Sequence, residues 1–165
     1  MPYRESEIVH LNSIAATIKQ LLADYESASP LYRSYQVSNL KMMCRWLEKF
    51  ISPRISLGAA EKAKELGIDP ETLHSTRWEQ QPTRLQDKNR EKFHFEHFVP
   101  VGSMAKQILS LQDRSIPNIE EILRSAEIAW ITKVEDQKLT DNGFRSVRPK
   151  PAECCKKAGI GFVGD

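Results

Sequence analysis

Phe93-His94-Phe95-Glu96-His97-Phe98-Val99-Pro100 concentrates two of the chain's four histidines and a glutamate within four residues. The segment is short, aromatic and alternating, which predicts a strand over Phe93–Phe98 ended by Pro100 and Gly102. In a strand His94 and Glu96 point to one face and His97 to the other. A bend just before Pro100 would let Glu96 and His97 converge on one point. Glu96 then offers a hard oxygen ligand for a divalent cation, and His97, titrating near neutrality, can take a proton from water.

The elements that must position these residues follow from periodicity. Ile8, Leu11, Ile14, Ile18, Leu21, Leu22 and Tyr25 form one helical stripe, and Val37, Leu40, Met43, Cys44, Leu47, Phe50 and Ile51 form a second. Ser27–Pro30 separates them and Ser52-Pro53 ends the second, which predicts an antiparallel helical hairpin. The same stripes could instead serve a homodimer. Ser56 caps a short helix through Leu66, with Gly67 in a left-handed cap, and Asp69-Pro70-Glu71 starts another turn. Residues 75–92 read as a polar, basic connector. Further on, Ser103 opens a helix to about Leu111, and residues 116–125 form another. Ile128–Ile131 is a short strand that runs into a helix capped by Thr132 and Glu135, three residues apart. Asn142-Gly143 closes that helix, and a last short helix ends before Gly159.

With that ordering, the Glu96-His97-Phe98-Val99-Pro100 run resembles the first strand of the His-Me finger (ββα-metal, HNH-type) nucleases. In many of these an acidic residue and a histidine precede a proline by the same spacing. Ile128–Leu139 has the form of the motif's second half, a strand followed by a helix. The resemblance covers roughly residues 93–140 and implies a metal-dependent endonuclease acting on phosphodiester bonds. Glu96 would be a metal ligand and His97 the general base, with Asp136 or Glu135 supplying the second ligand from the helix. Family members usually carry His or Asn there. An intermediate asparagine normally positions the catalytic histidine, and Asn118 is the candidate here. The implied cofactor is Mg2+ or Mn2+, and the implied partner is nucleic acid, DNA rather than RNA.

Charge is distributed to suit this. The 165 residues carry 24 Lys plus Arg against 22 Asp plus Glu, a net +2 that excludes a histone-like binder. Residues 84–92 hold four basic and two acidic side chains, and residues 138–157 hold six and two. The intervening residues 107–136 hold three basic and six acidic. Lys88, Arg90, Lys92, Arg145, Arg148 and Lys150 are therefore the candidate nucleic-acid contacts. An ordinary solvated surface would look similar. Likewise His94 or His97 could be a hydrogen-bonded strand histidine, Asp136 a favourable charge in a first helical turn, and Trp130 a core residue.

The fold expected is α+β and predominantly helical, an N-terminal hairpin followed by a small two-stranded ββα-metal-like core. Residues 1–74 would be the helical region, 75–92 the connector and 93–165 the core with its basic tail. Three cysteines, two of them adjacent, read as reduced cytosolic thiols. The charged start lacks a signal peptide's apolar stretch, and no apolar run is long enough to span a bilayer. A cytoplasmic protein without membrane contact is expected. The competing reading is a non-catalytic interaction or inhibitor protein of a phage or bacterial defence system, retaining a degenerate nuclease-like core. A sequence-specific DNA-binding regulator is less favoured, because no clear helix-turn-helix with a basic face is present.

Overall fold

A computed structural model describes residues 5–165, with side chains from His10 onward, so Ile8 of the first stripe lies outside the described side chains. The chain is α+β and mostly helical, with nine α-helices and three strands among the described residues. In order these are α1 (Glu5–Leu21), α2 (Pro30–Trp46), β1 (Arg54–Ile55), α3 (Leu57–Glu65), α4 (Thr72–Ser75), α5 (Gln81–Arg84) and β2 (Phe93–His97). There follow α6 (Val101–Leu109), α7 (Ile116–Arg124), β3 (Ile128–Thr132), α8 (Lys133–Asp141) and α9 (Pro151–Lys157). No helix among the described residues is long and apolar enough to cross a membrane.

Two compact units form, and their boundaries differ from the linear division the sequence suggested. One joins α1 and α2 to Val99–Ala126; the other joins Ser52–Phe98 to Glu127–Asp165. In the helical unit α1 and α2 touch, but α1 lies chiefly along α7 and α2 along α6. In place of a self-contained hairpin, each of the two helices packs chiefly on a segment that returns from late in the chain. Leu11, Ile18, Leu40 and Cys44 from the two predicted stripes are buried there with Ile108 and Leu123. Burial raises the Cys44 thiol to about 12, so it stays protonated and inert. On its outer side α2 leaves Leu31, Tyr35, Met42 and Trp46 exposed.

The second unit is built on a three-stranded mixed sheet in the order β1-β3-β2, rather than on two strands. β3 pairs antiparallel with β2 and parallel with β1. All five β3 residues are buried, as expected of a central strand covered on both faces. On one face Trp130 meets Phe93 and Phe95, with ring centroids 6.4 and 4.6 Å away, and donates its indole N–H to the Thr76 carbonyl. On the other, Ala129 and Ile131 pack with Leu139, Cys155, Ile160 and Phe162.

Glu135 locks the strand-to-helix junction. Its Oε2 accepts from the Thr132 amide (2.7 Å), the Thr132 hydroxyl (3.0 Å) and the Ser56 hydroxyl (2.7 Å). Thr132 Oγ1 in turn accepts from the Glu135 amide, completing the reciprocal cap. Ser56 caps α3 by accepting from the Ala59 amide at 2.9 Å, so one carboxylate organises two helix starts. Gly58 leaves room for it: a Cβ there would lie 2.7 Å from Glu135 Oε1. Gly58→Ala should therefore cost about 1–3 kcal/mol by overpacking. Gly102→Ala in α6, where a Cβ meets nothing within 4 Å, should instead gain about 0.5–1 kcal/mol. Urea unfolding of the two variants checks both signs.

Candidate metal centre

The antiparallel pair β2–β3 and helix α8 bring three potential ligands together. His94 and Glu96, two apart on β2, face the same side of the sheet as their partners Ile131 and Ala129. Asp136 comes from the first turn of α8, which leaves Thr132 and lies against both strands. One ligand atom from each of His94, Glu96 and Asp136 lies within 4.8 Å of the others. His94 Nε2 is 2.8 Å from Glu96 Oε2 and 3.8 Å from Asp136 Oδ1. All three side chains are partly exposed.

Two cations frame the group. Lys133, the first residue of α8, places Nζ 3.1 Å from His94 Nδ1. An ammonium only donates, so Nδ1 accepts, and the ring proton lies on Nε2, directed at Glu96. On the other side the Arg148 guanidinium pairs with Glu96 Oε1. Burial alone would raise the pKa of Glu96. The hydrogen bond from His94, then the charge and hydrogen bond of Arg148, outweigh it and hold the carboxyl below its usual 4.5.

Several expected roles are corrected by these positions. Strand alternation places His97 on the side of Phe93, Phe95 and Trp130, not with Glu96; the chain bends at Phe98 and Val99, after His97, and β2 runs in register through the His97–Ile128 pair. The imidazole beside Glu96 is His94. Glu135 is committed to the caps of α3 and α8, and Asp136 alone of the two α8 carboxylates joins the cluster. Asn118 spends its amide on the Asp113 carbonyl and carboxylate, each at 3.0 Å.

Arg148 does not present its charge to solvent. Its side chain is 1% exposed and donates to the carbonyls of Phe144 (2.6 Å), His97 (2.9 Å) and Phe98 (3.3 Å) besides Glu96. Arg145 and Lys88 are exposed, and Lys150 is exposed but paired with Glu153 at 2.9 Å. Lys92 is exposed and donates to the Gln86 carbonyl, and Arg90 lies over the ring of Trp78.

Residues 75–92 are more than a connector. Asp87, 2% exposed, accepts from the amides of Glu91 (2.9 Å), Lys92 (3.1 Å) and Phe93 (3.0 Å) and from the Gln81 side chain (2.8 Å). Burial opposes its ionisation, but these donors hold its pKa below 3.8. The loop is thereby fastened to the first residue of β2. An aspartate in a Lys/Arg-rich segment was the only sequence signal, and it does not distinguish a backbone anchor from surface charge.

No protein-family model matches the chain, and neither the curated proteins nor the solved structures contain a significant match.

Removing one half of the buried pair should be costly: Arg148→Met leaves Glu96 uncompensated and is expected to lose about 3–5 kcal/mol. Because the folded-state pKa of Glu96 is depressed, its contribution is full above 4.5 and declines as pH falls through the lower folded value. Thermal melts from about pH 6 to about pH 3 should therefore show the stability gap between the parent and Glu96→Gln narrowing as the medium is acidified. A constant gap would contradict the assignment.

Proposed function

We propose that the chain is a divalent-metal-dependent endonuclease that hydrolyses phosphodiester bonds, with DNA the favoured substrate. The observation that carries this reading is the convergence of His94 Nε2, Glu96 Oε2 and Asp136 Oδ1 where an antiparallel strand pair runs into a helix. Two carboxylates and one imidazole form a mixed oxygen and nitrogen donor set suited to Mn2+ or Mg2+. Bound there, such a cation would stabilise charge on the scissile phosphate and its leaving oxygen and acidify a water.

The chain's own residues have separable tasks in this proposal. Glu96 and Asp136 supply the negative charge. Arg148 fixes the Glu96 carboxylate from behind through Oε1, leaving Oε2 toward the cluster. Without a cation Lys133 holds the His94 ring from Nδ1; ligation through Nε2 would need the ring proton on Nδ1, which would release the Lys133 ammonium to meet a phosphate oxygen. His94, not His97, is the imidazole of this centre, and it serves as a ligand rather than as the general base that the motif resemblance gave to His97. Exposed Arg145 and Lys88 remain candidates for flanking phosphates.

The second reading, a non-catalytic interaction protein with a degenerate core, draws on one observation. Lys133 and Arg148 already neutralise the cluster from within. The two readings part on cleavage assays with plasmid and single-stranded DNA in Mg2+, Mn2+ or EDTA. The proposal expects metal-dependent nicking that falls at least about 100-fold in Asp136→Asn and His94→Ala and persists in His97→Ala. Loss in His97→Ala with retention in His94→Ala would return the imidazole's role to His97. No cleavage by the parent under any metal would favour the second reading.

A further inference from the structure

Trp78 begins a single 3-10 turn, Trp78–Gln80, ahead of α5, and it is 45% exposed, whereas Trp130 in the same unit is fully buried. The open part of the indole offers a flat apolar surface with a polar edge. Arg90 covers part of it: the guanidinium carbon lies 3.4 Å from the ring centroid, the contact distance of a cation set face-on.

The backbone that brings Arg90 there is unusual. Arg90 has φ +56°, and Gln86 in the same loop has φ +49°. Neither is glycine, so each left-handed conformation opposes a steric preference of about 1–2 kcal/mol. Asp87 holds the turn in place by collecting the amides of Glu91, Lys92 and Phe93. The far end of the loop is fixed as well, since the Lys92 carbonyl accepts from the Lys133 amide at 2.9 Å. The guanidinium–indole pair therefore sits on a braced loop joined directly to the strand of His94 and Glu96 and to the start of α8.

The loop's charge points to the partner. Lys88 and Lys92 are exposed beside Arg90 and outnumber the loop's one exposed acid, Glu91, while the buried Asp87 has its charge absorbed by amides. Flat π surface together with several cations suits a nucleobase and its neighbouring phosphates. A base within a duplex has both faces stacked and cannot lie on an indole, so the partner must offer unpaired bases.

We propose that Trp78 and Arg90 form a stacking platform for a base of single-stranded nucleic acid, with Lys88 and Lys92 meeting the adjoining phosphates. The inference rests on the nuclease reading and deepens it by assigning the substrate class, a strand with unpaired bases.

Binding is measured without turnover, by fluorescence anisotropy of a labelled single-stranded oligonucleotide of about 15 thymidines with the full chain in EDTA at low salt. Trp78→Ala and Arg90→Ala should each weaken binding about 10-fold, and Trp78→Phe should retain most of it. A blunt duplex of the same length should bind the parent and Trp78→Ala equally. The proposal is overturned if the parent fails to bind the single strand, or if Trp78→Ala binds it as tightly as the parent while keeping the parent's unfolding midpoint. Failure of the two readings is distinguishable. Trp78-dependent binding without metal-dependent cleavage keeps the platform and removes hydrolysis, whereas cleavage of a single strand indifferent to Trp78→Ala does the reverse.

Discussion

The guanidinium of Arg148 is the constraint around which the second unit is arranged. A charge almost wholly withdrawn from water must be matched nearly donor for donor, or the unit loses several kcal/mol. Carbonyls of His97 and Phe98 at the end of β2, the Phe144 carbonyl after α8, and the Glu96 carboxylate meet that demand. Those partners belong to parts of the chain about fifty residues apart, so satisfying one side chain fixes the strand end, the path of the C-terminal segment and the orientation of Glu96 together. The same field reaches Cys155, where Arg148 favours the thiolate but burial prevails and pushes the thiol up to about 11. Cys154 and Cys155 are buried and form no disulfide, and Cys155 packs into the core with Ala129 and Ile131.

Four carboxylates close to the sheet differ in what they can do because their lone pairs are spent differently. Asp87 receives three amides and a side-chain amide, and Glu135 receives an amide and two hydroxyls. Both are held for architecture. Glu96 gives one oxygen to Arg148 and keeps the other toward His94, while Asp136 stands at the rim of the same group. Adjacent residues on one helical turn, Glu135 and Asp136, thus separate into an internal anchor and an open donor. A helix rotates successive side chains by about 100°, so only one of the two can face the strand carrying His94.

Features that depend on nearby residues were legible in the sequence. The caps by Ser56 and by Thr132 with Glu135, the left-handed Gly67 and Gly143, and the strand-to-helix passage at residue 132 each follow from a few consecutive side chains, and each is present. β1 was not legible, because two residues carry no periodicity and Arg54–Ile55 becomes a strand only by pairing with β3. Nor was the division into units, which requires Val99–Ala126 to join helices formed nearly a hundred residues earlier. For the site, alternation already placed His94 with Glu96; expecting a bend before Pro100 displaced that simpler geometry in favour of His97. Arg148 was misread for a related reason. Its position just before Pro149 in a basic tail suggests exposure, and only a distant carboxylate with several carbonyls explains its burial.

Charge balance gives the proposed centre its character. Glu96 and Asp136 are countered by Arg148 and Lys133, so the cluster is not a deep negative well that would retain a divalent cation alone. Magnesium sites commonly use one or two carboxylates and complete their coordination with water and substrate phosphate. A phosphodiester adds the negative charge and oxygen ligands that this cluster lacks, and Lys133 stands ready to share that charge. The helix N-terminus of α8 has little left to offer, because the amides of Thr132, Lys133 and Glu135 already donate to the Glu135 carboxylate, the Lys92 carbonyl and the Thr132 hydroxyl. On this reading the cation and the scissile phosphate are recruited together at the cluster: each supplies charge that makes the other's binding there favourable.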